Sequence, residues 1–154
     1  MQLNSDLIIS DTSCLILLNR IGELDLLKKL SRQVFITPIV KREYGEELPD
    51  WITVKEPDDV HYQMILEMDL DSGEASAIAL SMSIHNSLLI VDELKGRKIA
   101  QKLNLRYSGT LGLILKAKQV GIIPTIGPTL QKIRKTNFWI SEELFEFLMR
   151  KANE

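Results

Sequence analysis

The sequence has few of the residues from which several common scaffolds and sites are built. It contains one cysteine among 154 residues, so it can form neither an internal disulfide nor a thiolate metal cluster. The first of its two histidines, His61, has no second ligand at metal spacing. No apolar run approaches the roughly 20 residues of a membrane span, and there is no repeat or Gly/Ser linker. These absences exclude disulfide scaffolds, zinc modules and transmembrane proteins.

What remains is the composition of an ordinary globular protein, with 45% hydrophobic and 26% charged residues. A chain of this length fits one domain, and we expect residues 1–154 to form a single one. Residues 1–6 have neither the positive region nor the long apolar stretch of a secretory signal. The expected location is therefore the cytoplasm.

The charges are divided unevenly along the chain. Residues 1–92 carry a net charge of −9 and residues 93–154 a net charge of +7, which together give the net −2. Such asymmetry suggests a surface that binds a polyanion beside a cluster of acids that needs cations. Solvated helix faces are the alternative explanation.

The strongest functional feature near the N-terminus is an apolar run that ends in an acid. Leu7, Ile8 and Ile9 form a continuously apolar segment, as expected of a strand covered by helices on both faces of a parallel sheet. Asp11 follows, and ligands of such sheets bind at the carboxyl ends of the strands. Asp11 is therefore either a site residue or the cap of the next helix, with Thr12 and Ser13 as further capping candidates.

A second apolar run, Ser87 to Val91, repeats this arrangement and ends in Asp92, with Glu93 behind it. Two parallel strands of this kind, if adjacent, bring their terminal acids to one edge of the sheet. The pattern predicts an α/β protein in which Asp11 and Asp92 lie together.

Two glutamates lie on predicted helices next to apolar residues. Glu43 is predicted to share a face with Ile39 and Val40, in a helix that starts at Pro38 and runs to about Glu47. A carboxylate on a core-facing stripe is costly unless it is paired, protonated or bound to a metal.

The second glutamate, Glu74, begins an alanine-rich helix. It also has the three-residue spacing of a capping box with Asp71, and both roles are compatible if Asp71 caps the helix while Glu74 faces a site.

The basic half supplies candidate phosphate ligands and two local predictions. Lys95 and Arg97 lie on the helix after Asp92, as a phosphate-binding rim or as solvated side chains. The main role predicted for Thr110 is that of a helix N-cap, and its second role is that of a site residue. The segment from Phe138 to Ile140 is predicted to be an edge strand.

Four converging carboxylates, Asp11, Glu43, Glu74 and Asp92, would repel one another unless a divalent cation neutralised them. Oxygen ligands suit Mg²⁺ or Mn²⁺, and such a site can support phosphodiester cleavage. Other motifs are absent: there is no P-loop, no dinucleotide-binding glycine pattern, and no second acid at position 13 for a haloacid-dehalogenase phosphatase.

The motifs resemble those of PIN-domain proteins, in particular a toxin-like subgroup. They stand here as Ser10-Asp11-Thr12-Ser13, Gly73-Glu74-Ala75-Ser76-Ala77-Ile78-Ala79-Leu80, Asp92-Glu93-Leu94-Lys95-Gly96-Arg97 and Gly109-Thr110-Leu111-Gly112. The resemblance implies a three-layer α/β/α sandwich with a central parallel sheet and a Mg²⁺- or Mn²⁺-dependent ribonuclease site. It also implies RNA as substrate, a homodimer and, in toxin–antitoxin pairs, an antitoxin partner. Two positions depart from the usual pattern, because Glu93 replaces the frequent second Asp of the pair and Glu74 replaces an Asp.

The leading hypothesis is a metal-dependent endoribonuclease, and the resemblance further suggests the role of toxin in such a pair. Asp11 and Asp92 hold the metal, Glu43 and Glu74 complete the acidic cluster or orient water, and the candidates for substrate binding are Ser13, Lys95, Arg97 and Thr110. The alternatives are a noncatalytic module that binds RNA or protein, and a phosphoacceptor receiver domain.

Overall fold

The computed structural model describes residues 7–154, which contain one five-stranded sheet with all strands parallel. The strands are β1 (Leu7–Ser10), β2 (Gln33–Ile36), β3 (Ile52–Val54), β4 (Ser87–Ile90) and β5 (Tyr107–Ser108). Their order across the sheet is β3-β2-β1-β4-β5, so β1 and β4 are neighbours at its centre. Residues 1–6, on which the expected cytoplasmic location rests, lie outside the described residues.

Helices cover both faces of this sheet. They are α1 (Thr12–Arg20), α2 (Asp25–Leu30), α3 (Pro38–Tyr44), α4 (Val60–Leu66), α5 (Ser72–Ser83), α6 (Leu94–Lys102), α7 (Thr110–Gln119), α8 (Gly127–Arg134) and α9 (Glu142–Lys151). The predicted three-layer α/β/α sandwich is thereby confirmed. No helix in this part of the chain is long and apolar enough to cross a membrane.

The core is divided by the sheet into two halves. Ile8 points into a cluster formed with α1, α2, α3, α7, α8 and α9, whereas Leu7 and Ile9 point into a cluster formed with α4, α5 and α6. Side chains alternate between the faces of a strand, so a strand buried on both faces must be apolar at every position. This requirement explains why β1 and β4 are the clearest strands in the sequence.

Helix α3 is shorter than predicted. It begins at Pro38 after Thr37, whose hydroxyl accepts a hydrogen bond from the Val40 amide, as the sequence indicated. It ends at Tyr44, because Gly45 adopts a left-handed conformation with φ of 72° and its amide bonds to the carbonyl of Lys41. The predicted extension to Glu47 is wrong.

Two further predictions are corrected by the fold. The segment from Phe138 to Ile140 is not a strand: the Phe138 amide donates a local hydrogen bond to the hydroxyl oxygen of Thr136 at 3.1 Å, and β5 is the last strand of the described sheet. The receiver-domain alternative is also wrong, since that class has the strand order 2-1-3-4-5 and this sheet has 3-2-1-4-5.

Candidate metal centre

The site lies at the carboxyl edge of β1 and β4. The two strands pair in register from Leu7 with Ser87 to Ser10 with Ile90. Asp11 extends this ladder, its amide donating to the carbonyl of Ile90 at 3.1 Å. The amide of Asp92 in turn donates to Oδ2 of Asp11 at 3.3 Å. The strand pairing therefore places both acids side by side, as the sequence predicted.

Asp11 is both a helix cap and a member of this acidic group. Its Oδ1 accepts a hydrogen bond from the Cys14 amide at 2.9 Å and caps α1, while Oδ2 faces Asp92. The two interpretations of Asp11 are therefore compatible. Thr12 and Ser13 do not cap the helix, because Asp11 already occupies the N-cap position; Thr12 is its first residue and Ser13 is exposed.

The environment of Asp11 opposes its ionisation in the absence of a cation. The side chain is 2% exposed, and burial together with the nearby charge of Asp92 raises the pKa of Asp11 from 3.8 to about 7. The two backbone hydrogen bonds act in the opposite direction and only partly offset this rise. The adjacent Cys14 is fully buried, and burial raises the pKa of its thiol, so it remains protonated as a core residue.

Asp92 is fixed by the start of α7. The amide and the hydroxyl of Thr110 each donate to its carboxylate at 2.7 Å, one to each oxygen. The N-cap position is occupied by Gly109, so the prediction that Thr110 is the cap is wrong. The buried Thr110 hydroxyl instead orients the carboxylate of Asp92.

Glu74 is the most unusual acid of the site. Its side chain is 6% exposed, and its Oε2 is buried without any hydrogen-bond partner among the described residues. Burial, followed by the charges of Asp71 and Glu93, raises the pKa of Glu74 to about 8. A buried carboxylate oxygen without a donor is costly, so this atom is suited to a cation that would complete its environment.

Asp71 and Glu93 join Glu74 in a group that the sequence did not identify. Carboxylate oxygens of the three residues lie within 4.8 Å of one another. Asp71 caps α5 through the Glu74 amide, as predicted, but it also belongs to this group. Glu93 occupies the N-cap position of α6 without a capping bond from its side chain. In the sequence, only its position directly after Asp92 indicated that Glu93 belongs to the acidic group.

Glu43 lies at the margin of the site rather than in the core. The buried positions of α3 are Val40 and Tyr44, four residues apart, and Glu43 projects about 100° away from Tyr44 and is exposed. The prediction that Glu43 faces the core is therefore wrong. Its Oε1 accepts a hydrogen bond from the hydroxyl of Thr12 at 2.5 Å, which ties α3 to the start of α1 beside Asp11.

Three glycines make room for these side chains. A Cβ atom on Gly73 would overlap the carboxylate of Glu43, and one on Gly96 would lie 2.7 Å from Oε2 of Glu74. A Cβ atom on Gly109 would lie 2.9 Å from Oδ1 of Asp92. The glycines of the three motifs therefore allow α5, α6 and α7 to approach the acids closely.

The two basic candidates occupy different environments. Arg97 is half-buried, and its Nε donates to the carbonyl of Val91 at 3.1 Å, which holds the guanidinium beside Gly109 and the Asp92 carboxylate. Lys95 is exposed. The roles assigned to them, and to Ser13, remain predictions.

The donor set fits a hard divalent cation. All candidate ligands are carboxylate oxygens, the type that Mg²⁺ and Mn²⁺ prefer, and Oε2 of Glu74 lacks a partner in the protein. The raised pKa values of Asp11 and Glu74 show the repulsion and desolvation that a bound cation would relieve. The fold and site together define an α/β/α protein with an acidic, metal-type centre at the carboxyl edge of a parallel sheet.

The family comparison agrees with this class. The PIN-domain family model matches residues 7–154, so the chain belongs to the PIN-domain family, whose fold is of the nuclease type. No curated protein and no solved structure matches the chain significantly.

Proposed function

We propose that the protein is a metal-dependent endoribonuclease that hydrolyses phosphodiester bonds of RNA. The observation that carries the proposal is the buried Oε2 of Glu74, which has no hydrogen-bond partner among the described residues and belongs to a group of carboxylates. Structural acids are normally paired with donors or cations, whereas an acid held without a partner beside other acids is suited to a metal.

The cation-binding role is assigned to Asp11, Asp92 and Glu74, with Asp71 and Glu93 close enough to share it. A divalent cation bound there would stabilise negative charge on the phosphate and lower the pKa of water. The protein's own contribution is orientation: backbone amides fix Asp11, and Thr110 fixes Asp92.

Glu43 is assigned a positioning role. Its hydrogen bond to Thr12 connects α3 with the helix that Asp11 caps, so it steadies the helix start next to the acid. This differs from direct participation in the acidic cluster, which the sequence suggested. Its exposed position also leaves it able to orient water at the edge of the site.

RNA is proposed as the substrate because basic side chains lie beside the acids. Arg97 is held against the Asp92 end of the site, Lys95 is exposed on the same helix, and residues 93–154 carry a net charge of +7. These charges suit phosphate contacts. The homodimer, the toxin role and the antitoxin partner are proposed with it from the family resemblance, and a cytoplasmic location is proposed as well.

The test is cleavage of a fluorophore-quencher-labelled single-stranded RNA with Mg²⁺ or Mn²⁺ and with EDTA. We expect cleavage only with metal, and loss of cleavage in Asp11→Asn with an unchanged circular dichroism spectrum. Glu146→Gln, an exposed acid on α9, is the matched control and should cleave normally. If the wild-type protein binds RNA but cleaves it with neither metal, the noncatalytic module replaces this proposal.

A further inference from the structure

A second concave feature adjoins the acidic centre and shares only Asp92 and Arg97 with the proposed chemistry. It is a groove of about 480 Å³ between the start of α7 and the connection from α8 to α9. Asp92 and Arg97 line one end, and the opposite wall carries Phe138 and Trp139. Pockets for small organic ligands span roughly 300–1,000 Å³, so the groove is large enough for a nucleoside.

Trp139 is the most conspicuous residue of this wall. Its side chain is 81% exposed, although indole is among the largest apolar surfaces a protein can bury. The next residue, Ile140, is 7% exposed and anchored in the core, and the Phe138 amide is bonded to Thr136. The backbone on both sides of Trp139 is therefore held in place while the ring faces solvent at the groove.

The opposite end presents a fixed cation. The bond from Nε of Arg97 to Val91 leaves the outer edge of the guanidinium next to Gly109, where a Cβ atom would overlap it. Arg97 forms no salt bridge with any residue in 7–154. A planar guanidinium of this kind can bind a phosphate or stack on a base.

We propose that this groove binds a nucleobase of single-stranded RNA, stacked on Trp139, next to the phosphate that lies at the acidic centre. The inference rests on the proposed function and specifies how its substrate is held. Exposed aromatic rings and arginine planes are the surfaces on which proteins stack unpaired bases. Because Asp92 lines both the groove and the acidic centre, one nucleotide can occupy the two together.

A nucleotide fits the groove better than an apolar protein segment does. One end of the groove carries the Asp92 carboxylate and the Arg97 guanidinium, which are neighbours but form no salt bridge with each other. An apolar peptide would remove water from both groups without offering either a hydrogen bond, which is costly. A nucleotide supplies an aromatic face for Trp139 and an anion for Arg97.

The test measures binding without cleavage, in the Asp11→Asn protein with EDTA, by fluorescence anisotropy of a labelled six-nucleotide single-stranded RNA at fixed salt. We expect Trp139→Ala to raise Kd about tenfold or more, and Trp139→Phe to retain most of the affinity. An oligomer of the same length whose nucleotides lack their bases should bind equally to Asp11→Asn with and without Trp139→Ala. Met68→Ala is the matched control, since Met68 is 82% exposed and lies outside the groove.

Three results would overturn the inference: an unchanged Kd in Trp139→Ala, an equal loss of affinity for the base-free oligomer, or no RNA binding by the Asp11→Asn protein. A change of oligomeric state in Trp139→Ala with unchanged RNA binding would identify a protein interface instead. Binding that depends on Trp139 in a protein that never cleaves RNA would refute only the catalytic proposal. Cleavage by the wild-type protein with an unaffected KM in Trp139→Ala would refute only the groove.

Discussion

The acidic centre makes the stability of the metal-free protein depend on pH in an unusual direction. Folding raises the pKa of Asp11 from 3.8 to about 7, so the folded state binds the Asp11 proton more tightly than the unfolded state does. The contribution of Asp11 to the free energy of unfolding is therefore fully present below pH 4 and is lost as the pH rises through about 7. The pKa of Glu74 is raised to about 8, which adds a loss of the same sign.

The magnitude follows from the pKa difference of Asp11. A difference of about three units corresponds to about 4 kcal/mol, at roughly 1.4 kcal/mol per unit. Of this contribution to the free energy of unfolding, about 2.5 kcal/mol is lost between pH 5 and pH 8. The rest is lost below pH 5, because the carboxyl of the unfolded state is already mostly ionised at pH 5. Asp11 and Glu74 interact, so their effects do not simply add.

The assay is urea unfolding in EDTA at pH 5 to 8, followed by tryptophan fluorescence. We expect the free energy of unfolding to fall across this range and Mn²⁺ at pH 8 to restore it, by about 2.7 kcal/mol when present at one hundred times its Kd. Asp11→Asn should reduce the fall but leave the part that Glu74 contributes, and Glu146→Gln should leave the whole fall unchanged. A free energy of unfolding that stays level or rises from pH 5 to 8 in the wild-type protein would refute the reasoning.

Two further predictions concern the supports of the acids. Thr110→Val removes the hydroxyl that holds one oxygen of Asp92 but keeps the backbone hydrogen bond to the other oxygen. We therefore expect kcat for RNA cleavage to fall about 10- to 100-fold with little change in the melting temperature. An unchanged kcat would contradict the orienting role of the hydroxyl. Gly96→Ala places a Cβ atom 2.7 Å from both Glu74 and Val91, and we expect it to lower the free energy of unfolding by about 1–3 kcal/mol in urea titrations. Gly127→Ala is its control, because the added Cβ there meets only ordinary contacts at 3.4 Å or more, and equal effects of the two substitutions would argue against a crowded site.

The sheet was predictable where burial leaves no choice of residue. The strands β1 and β4 are covered on both faces, so they are apolar except for Ser10 and Ser87 at their ends. The acid after each strand had to fall at the same edge once the strands were neighbours. The segment from Phe138 to Ile140 has similar composition but is a connection between helices. Apolar composition alone does not distinguish a strand from a loop that packs one side chain and exposes the next.

The site was predicted less completely, for reasons that also concern geometry. Glu43 was assigned to the core because helical spacing fixes a face only within about one residue, and the true stripe passes through Tyr44. Asp71 was interpreted as a helix cap and Glu93 as the second acid of the pair with Asp92, because local sequence patterns do not report that the two helix starts meet at Glu74. Contacts between segments distant in the chain depend on tertiary packing, which local patterns do not encode.

The glycines beside the acids bear on how other sequences are interpreted. Glycine is usually taken as the mark of a turn. Gly73, Gly96 and Gly109, however, all lie outside the left-handed region of φ, so alanine could adopt the same backbone conformation at each position. What each position lacks is space, since a charged side chain from another segment already occupies it: Glu43 at Gly73, Glu74 at Gly96, and Arg97 together with Asp92 at Gly109. A glycine within or just before a helix, at a position where no turn requires it, can therefore indicate that a functional side chain from elsewhere in the chain packs against that position.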